Sequence, residues 1–388
     1  MAKERKKFMG SIFKWLMLSL NLLAAIPLFL SYCAGFIPPS STGWLVFCGI
    51  AFPYILFLNF FFVIFWLFIQ YPYCLISLSI ILLNVNTIDK CFQFKGREAV
   101  ENCHNAVKVM SYNAQLFGLY KDENMEARIK EKNQILEYFS EERPDILCLQ
   151  EYFWDKSESL HFHTTDTILQ ILELDEQESH CYQYFTDTSR HKYFYGLAIF
   201  SKYRIIDAAP VLDDGTSNAI IYVDIKYKGD TLRVYNLHLT SLHFDQNDYA
   251  IGQQLVSNSY QVPSLDTKTK KLFRKIAASA KKRRYQADSL RRHMDSCRYP
   301  MIVCGDFNEP PTCYCYNKIA KHLNDSFRES GEGTCYTYVG KNMPHYRIDN
   351  ILYDERFLSF GHTVGTSITV SDHFPISTII SVNLKKRR

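Results

Sequence analysis

The most informative absence in this sequence is charge: residues 15–88 contain no Asp, Glu, Lys or Arg. The stretch is crowded with Leu, Ile and Phe, and a helix that spans the bilayer core needs roughly 20 apolar residues. The run is therefore long enough for three membrane spans joined by short turns. We expect these spans at residues 15–36, 45–70 and 71–88.

Two further absences narrow the role of this segment. A cleaved signal peptide is the alternative for the first span, but more apolar sequence follows at once and no clear small-residue cleavage site is present. The spans also contain no Asp, Glu, Lys, Arg or His. This disfavours a transporter, because transporters place such residues along their substrate and ion paths. Residues 15–88 are therefore interpreted as a membrane anchor.

The remainder of the chain lacks net charge. The tail of residues 1–14 contains five basic side chains and one acidic side chain, Lys3, Arg5, Lys6, Lys7 and Lys14 against Glu4, and it accounts for the net charge of the whole chain, +4. A balanced remainder gives no global electrostatic argument for nucleic-acid binding. The basic tail predicts a cytoplasmic N-terminus. Three spans would then place the rest of the chain outside the cytoplasm, whereas two spans would keep it inside.

The 12 cysteines do not settle the compartment. Cys148 and Cys304 lie in apolar runs that indicate buried strands, where cysteine behaves as a small hydrophobic residue. Cys313 and Cys315 flank a single tyrosine, which is too close for an ordinary disulfide, and they lack nearby partners at zinc-site spacing. We interpret them as free structural thiols.

Beyond residue 107, short apolar runs alternate with longer helical patterns, without an internal repeat or a low-complexity segment. Helical spacing covers residues 125–142 and 268–296. Strands are predicted at residues 107–113, 145–151, 197–201, 219–227, 231–239, 301–305, 348–353 and 377–382. Mixed strands with intervening helices predict an α/β sandwich, in which two sheets pack face to face with helices outside.

Polar residues recur where these strands meet loops, at six places along the chain. They are acids, amides and imidazoles: Asn113, Glu151, Asn236, His238, Asp306, Asn308, Asp349, Asn350, Asp372 and His373. Each place alone has a simpler explanation, such as a solvated carboxylate, a tight turn or a cap. Together they supply what phosphoester hydrolysis requires: carboxylates for a hard divalent cation, a group that moves protons, and donors for phosphate oxygens.

In these residues the chain resembles the endonuclease/exonuclease/phosphatase superfamily, with its deoxyribonuclease I-like fold, and in particular membrane-anchored members of bacterial type. The resemblance covers residue 107 to the C-terminus, and its most specific pieces occur in the family's order: Gln150-Glu151, Gly305-Asp-Phe-Asn308, Arg347-Ile-Asp349 and Ser371-Asp-His373. It implies a four-layer α/β sandwich and metal-assisted hydrolysis of a phosphate ester.

The organisation implied is a basic cytoplasmic tail (residues 1–14), a transmembrane segment (15–88), a polar linker (89–106) and a catalytic domain (107–384). The protein would be integral to the bacterial inner membrane, with the catalytic domain on the extracytoplasmic face. Its partners would be the lipid bilayer and a phosphate-ester substrate, namely a nucleic acid, a phospholipid or an inositol phosphate. No protein partner is implied.

The resemblance also implies a metal site. Glu151 would be the principal ligand of Mg²⁺, with Mn²⁺ as an alternative ion. Asn113 would lie beside Glu151, and Asp372 would lie near the metal. Few protein carboxylates are needed, because Mg²⁺ keeps several waters and binds substrate oxygens.

Five further residues would carry the reaction. Asp306 would orient or deprotonate the attacking water, and Asn308 would hold the phosphate, with His238 contacting it from the other side. His373 would stabilise the developing charge and would be oriented by Asp349. A histidine paired with an aspartate is held in one tautomer and favoured as the cation, which suits it to an anionic phosphate.

The role of one basic helix and the choice of substrate each have more than one interpretation. The basic helix at residues 268–292 is either a patch for nucleic acid or anionic lipid, or a solvated face with Leu272, Ile276, Tyr285 and Leu290 toward the core. Substrate choice is expected to lie in loops such as residues 244–267. The sequence of this loop does not indicate a substrate class. The competing function is a catalytically inactive membrane scaffold, whose signature would be loss of a residue such as Glu151. No such loss is present.

Overall fold

The computed structural model describes residues 2–39, 43–98, 105–121, 124–157, 160–175, 179–187, 193–213, 218–241, 267–340 and 344–382. The apolar segment forms the helices α1 (Ala2–Ala34), α2 (Leu45–Ile50), α3 (Phe52–Ile69), α4 (Cys74–Leu83) and α5 (Val85–Asp89). Ser11–Ala34 of α1 and all of α3 are long and apolar enough to cross a membrane. The third expected span differs, because its apolar helix, Tyr71–Leu83, is shorter.

Buried hydrogen bonds define the directions of these helices. In α1, Asn21 donates to Ser77 of α4 at 2.6 Å, and the oxygen of Leu28 accepts from Asn84 at 3.4 Å. Leu28 follows Asn21 in the chain, and its partner Asn84 likewise follows Ser77, so α1 and α4 run parallel. Trp66 of α3 donates to Asn21 at 3.0 Å, while Asn59 of α3 donates to the oxygen of Ala24. Helix α3 therefore runs antiparallel to both neighbours.

The chain after residue 105 forms twelve strands and five α-helices in its described residues. The strands are β1 (Ala106–Asn113), β2 (Ile146–Asp155), β3 (Cys181–Asp187), β4 (Tyr193–Ser201), β5 (Ile205–Asp213), β6 (Ala219–Tyr227), β7 (Asp230–His238), β8 (Met301–Asp306), β9 (Leu323–Asp325), β10 (Asp349–Asp354), β11 (Leu358–Val364) and β12 (Ile376–Ser381). The helices are α6 (Met125–Glu142), α7 (Thr164–Ile171), α8 (Thr267–Ser296), α9 (Tyr314–Ile319) and α10 (Ser326–Ser330).

The described strands form two six-stranded sheets, with strand orders β11-β12-β1-β2-β4-β3 and β5-β6-β7-β8-β10-β9. One buried cluster unites the inner faces of the sheets, for example Val109 and Ile199 with Ile221 and Ile302. A second cluster packs α6 on the first sheet, and a third packs α8 on the second. The predicted four-layer α/β sandwich is confirmed, since helices cover the outer face of each sheet.

The segment expected to be a linker is packed against the sandwich where it is described. Asp89 pairs with Arg328 at 2.6 Å, and the main chain of Gln93 pairs with that of Gly333. Further along, Arg97 pairs with Glu329 at 3.0 Å. These contacts fix the end of the apolar segment on the sandwich.

Candidate active site

Strand register brings three of the predicted residues to one level of the second sheet. Parallel pairing of β7 with β8 places His238 opposite Asp306, and antiparallel pairing of β8 with β10 places Asp349 opposite the same residue. Asp306 and Asp349 are each 1% exposed, and His238 is 2% exposed. Each strand is buried at the end that carries its polar residue, so the three side chains lie together at one edge of the sheet.

The first sheet contributes Asn113 and Glu151. The register of β2 against β4 shifts between Leu149 and Tyr152, and Glu151 adopts a left-handed backbone with φ of 47°. A bulge of this kind re-aims a side chain, and a non-glycine residue in this region is a feature concentrated at functional sites. The Asn113 amide lies 3.3 Å from the Glu151 carboxylate and 3.2 Å from that of Asp306. The two sheets thus meet at this amide.

The Gly305-Asp-Phe-Asn308 segment requires its first residue to be glycine. Gly305 has φ of 139°, and a Cβ there would lie 2.0 Å from the main-chain oxygen of Leu237 in β7. The turn that follows is closed by Asn308, whose main-chain N–H donates to Asp306 Oδ1 at 2.8 Å and whose amide donates to Oδ2 at 3.0 Å. The same amide donates to the oxygen of Leu239. Both oxygens of Asp306 are therefore oriented by one neighbour.

His373 is held by a network that also reaches β1, because its main-chain N–H donates to Ser371 Oγ at 3.0 Å and this hydroxyl donates to the main-chain oxygen of Asn113 at 2.8 Å. Its Nδ1 lies 2.9 Å from Asp349 Oδ2, and its Nε2 lies 3.7 Å from Asp306 Oδ2. Thr337 accepts the N–H groups of both Ile348 and Asp349 through its hydroxyl. Because Nδ1 faces Asp349, the ring presents Nε2 to Asp306. The arrangement holds the imidazole between two carboxylates.

The surroundings of Asp306 and His373 shift the pKa of each side chain. Burial raises the pKa of Asp306 to about 6, with Asp349 adding to the shift and His373 opposing it. Burial alone would lower the pKa of His373, but the charges of Asp349 and Asp306 outweigh it and raise the pKa to about 10. At neutral pH, Asp306 is thus mostly a carboxylate and His373 a cation.

His238 and Asp372 complete the predicted set. His238 Nε2 lies 3.6 Å from Asp306 Oδ2 and 3.8 Å from Glu151 Oε1, so this ring faces both carboxylates. Asp372 is half-buried beside His373, and its charge helps to raise the pKa of that histidine. Its main-chain oxygen accepts the N–H of Val339 at 2.8 Å.

The donor chemistry of these residues fits a hard divalent cation. Ligand atoms of Asp306, Asp349 and His373 lie within 4.8 Å of one another. His373, however, is favoured as a cation, and metal ligation requires a neutral imidazole. The Glu151 side chain is 35% exposed and offers the carboxylate oxygens that Mg²⁺ prefers. The Asn113 amide nitrogen donates to this carboxylate, and Asn113 Oδ1 accepts the N–H of Gln115. The Glu151 carboxylate therefore fits a hard cation better than the His373 imidazole does.

Two residues hold the candidate active-site residues in place, and their structural role was not predicted from the sequence. Asn236, named above with the strand-end residues, lies within the sandwich: it accepts a hydrogen bond from Gln150 at 2.6 Å and donates to the oxygens of Leu149 and Ala198 in the first sheet. It therefore bridges the two sheets. A polar residue within an apolar strand indicates a buried hydrogen bond. The sequence does not show that the partners of Asn236 lie in the other sheet.

Arg283 is a second missed support. This residue of α8 is buried, pairs with Glu309 at 3.2 Å and donates to the oxygen of Thr240 at 2.9 Å. Thr240 follows the end of β7 and Glu309 follows Asn308, so one guanidinium ties together the two loops that leave the site. Within the basic run of α8, nothing in the sequence distinguishes Arg283 from its neighbours.

Comparison with known proteins identifies the family of this chain. A profile of the Endonuclease/Exonuclease/phosphatase family matches residues 110–373. The chain belongs to this family. A profile of a domain of unknown function matches residues 14–91. No curated protein matches the chain.

Several solved structures are similar to this chain. A family protein from Leptotrichia buccalis has 15% identity and a TM-score of 0.47, covering 71% of this chain and 99% of that one. The catalytic domain of human Nocturnin with bound sulfate has 18% identity and a TM-score of 0.46, covering 73% and 97%. Sphingomyelinase C from Streptomyces griseocarneus has 14% identity and a TM-score of 0.43, covering 71% and 99%.

Proposed function

We propose that this family member is a membrane-tethered phosphoester hydrolase that depends on a divalent metal, Mg²⁺ or Mn²⁺, and uses a water activated by Asp306. The supporting observation is the convergence of Asn113 and Glu151 from one sheet with Asp306 from the other, joined through the Asn113 amide. A carboxylate that can bind a cation, the Asn113 amide beside it and a buried base thus share one edge of the sandwich. Phosphoester hydrolysis requires both within reach of one phosphate.

Asp306 is the proposed general base. Its pKa of about 6 leaves it ionised at neutral pH yet more basic than an ordinary carboxylate, which suits it to take a proton from water. Asn308 holds the carboxylate in place through two hydrogen bonds. In the proposed mechanism, the Asn308 amide also contacts a phosphate oxygen.

His373 and His238 are the proposed phosphate partners. His373 is favoured as the cation by Asp349, so its Nε2 N–H can stabilise negative charge as it develops on phosphate oxygens. His238 faces Asp306 and Glu151 from β7, and we place it on the other side of the phosphate. Asp349 is a positioning residue, because it contacts the ring and not the substrate.

Glu151 and Asn113 would hold the metal, with Asp372 near it. When bound, the ion would polarise the phosphoryl group and offset its negative charge. The bulge at Glu151 aims its carboxylate toward Asn113. Gln115 N–H donates to Asn113 Oδ1 at 3.2 Å, so the Asn113 amide nitrogen faces the carboxylates of Glu151 and Asp306.

We also propose the domain organisation and topology. Residues 1–14 are the cytoplasmic tail, 15–88 the membrane anchor, 89–106 the connection and 107–384 the catalytic domain, which lies on the extracytoplasmic face of a bacterial inner membrane. Support comes from the up-down-up order of α1, α3 and α4: Lys14 lies 4.9 Å from the ring centroid of Tyr73 at one end, while Asp89 contacts the sandwich at the other.

The lipid bilayer is the proposed partner of the basic helix α8. The ring of Phe273 in α8 lies 4.8 Å from that of Phe47 in α2, so this part of α8 lies against the apolar segment. Leu272 and Leu290 are buried as expected, but Tyr285, expected toward the core, is 59% exposed. A basic face beside a membrane is suited to anionic headgroups. This position favours lipid over nucleic acid.

A substrate panel tests the proposal. Full-length protein in detergent would be assayed with Mg²⁺ against DNA, RNA, phospholipids and inositol phosphates, because the substrate is a phosphate ester whose class is open. The loop at residues 244–267, expected to select it, lies almost wholly outside the described residues. Turnover that is lost in Asp306→Asn and His373→Ala supports the hydrolase. Turnover equal in all three proteins refutes the site, and no turnover on any substrate supports the inactive scaffold.

Topology is tested separately. A reporter fused to the C-terminus, active only outside the cytoplasm, should be active. Activity of a cytoplasm-specific reporter at the same position would contradict three passes.

A further inference from the structure

An apolar cavity of about 440 Å³ lies between helix α3 and the sandwich. Its helical wall includes Phe52, Leu56 and Phe60, which recur every four residues on one side of α3. The facing wall includes Pro311 and Thr334 of the sandwich. The volume lies within the range of roughly 300–1,000 Å³ typical of ligand pockets.

The cavity is continuous with the surface that the proposed anchor presents to the membrane. Phe57, which lines the cavity, is 78% exposed, and the neighbouring Tyr54 is 60% exposed. Large apolar side chains at such exposure on a spanning helix face hydrocarbon, not water. A hydrocarbon chain can therefore enter the cavity from the bilayer without crossing water.

One end of the cavity is cationic. Lys90 lines it and is 6% exposed, with its ammonium donating to the neutral amide of Asn317. The two nearby arginines are each paired with a carboxylate, Arg347 with Asp325 and Arg328 with Asp89. This leaves Lys90 as the surplus positive charge among these described residues. Burial, with Arg328, lowers the pKa of Lys90 to about 8, so an anion beside it would be favoured.

We propose that this cavity binds one bilayer phospholipid with an anionic headgroup, its hydrocarbon chain along Phe52, Leu56 and Phe60 and its phosphate beside Lys90. The proposal rests on the proposed membrane insertion of α3, and it names a ligand site separate from Glu151 and Asp306. The same lipid would contact two segments next to candidate active-site residues, since Pro311 follows Asn308 and Arg347 precedes Asp349.

Lipid retention by the full-length protein tests this assignment without reference to catalysis. The protein would be reconstituted with equal amounts of phosphatidylglycerol and phosphatidylcholine, extracted, washed in detergent and examined by native mass spectrometry. We expect one phosphatidylglycerol to remain on each wild-type chain. Leu56→Trp and Thr334→Trp would fill the cavity from opposite walls and lower retention at least tenfold. Thr334 is exposed, so its replacement leaves packing intact if Leu56→Trp fails to fold.

Two variants complete the test. Phe68→Trp, at an 85% exposed position near the other end of α3, should retain lipid as the wild type does. Lys90→Gln should retain a lipid but lose the preference for phosphatidylglycerol over phosphatidylcholine. Equal retention by wild type and both filling variants would overturn the site, as would no retained lipid on the wild type. Resistance of the protein to carbonate extraction from membranes would be measured in parallel. A protein that resists extraction but retains no lipid has its membrane anchor and lacks the proposed lipid site.

Discussion

The side-chain amide of Asn113 lies 3.2 Å from the carboxylate of Asp306, and this contact joins the first sheet to the second. The proposed metal ligands and the proposed base come from different sheets, so their spacing depends on how the sheets pack. Gln150 and Asn236 fix that packing from within the sandwich through a 2.6 Å hydrogen bond.

The pH dependence of turnover should have two limbs. Asp306 must be ionised to act as a base, so the rate should fall as pH decreases through about 6, the pKa of its buried carboxyl. His373 must be protonated, so the rate should fall as pH rises through about 10. Initial rates measured from pH 4 to 11 at saturating Mg²⁺ check both limbs. A rate that stays flat below pH 6 would contradict the role of Asp306.

Asp349→Asn should lower kcat by about 10²–10⁴-fold, because the imidazole loses the carboxylate that orients it and favours its cation. The alkaline limb should also move to lower pH, which a purely structural effect would not cause. Asp354→Asn, at the half-buried end of the same strand, is the matched control and should stay within about twofold of wild type. Steady-state kinetics of both variants across pH test this.

Removal of divalent metal should abolish turnover, and Mg²⁺ or Mn²⁺ should restore it. Glu151→Gln should raise the Mg²⁺ concentration needed for half-maximal activity by about 10–100-fold, because the proposed ligand loses its charge. Glu137→Gln, on the exposed face of α6, should leave that concentration unchanged. Metal titrations after chelator treatment measure it. Full activity in the presence of excess chelator would rule out metal dependence.

Arg283→Met should destabilise the protein by about 3–5 kcal/mol, because it leaves the buried carboxylate of Glu309 without its charged partner. It should also lower kcat by about tenfold or more, since displacement of the loops after His238 and Asn308 misplaces their side chains. Arg284→Met is the control, because the Arg284 side chain is 37% exposed in its pair with Asp288. That change should cost less than about 1 kcal/mol. Thermal unfolding in detergent and kinetics of both variants decide the matter.

The sequence predicted the inner strands and missed the outer ones, for a physical reason. Helix α6 and strand β6 were predicted with the bounds observed, because their apolar periodicity is set by burial against the core. The four strands that were not predicted, β3, β5, β9 and β11, are the four edges of the two sheets. An edge strand is buried by fewer neighbours and tolerates residues such as Pro210 in β5. Its sequence therefore carries a weaker pattern.

The candidate site was predictable to the extent that it depends on strand ends. Asp306 and Asp349 end or begin buried strands, and any sandwich with this order brings them together. The bulge that aims Glu151 and the contact of Arg283 with Glu309 depend on packing between distant segments, which no local pattern encodes. Cys313 and Cys315, predicted as structural thiols, are buried, and neither forms a disulfide with another described cysteine.

The most direct test of the central claim is the ratio of kcat/KM between wild type and Asp306→Asn. Both full-length proteins would be assayed with saturating Mg²⁺ on a substrate that the panel identifies. Loss of a general base that is isosterically replaced should lower kcat/KM by about 10²–10⁴-fold, while thermal unfolding shows that the variant remains folded. A folded Asp306→Asn variant that keeps kcat/KM within about threefold of wild type would contradict the account.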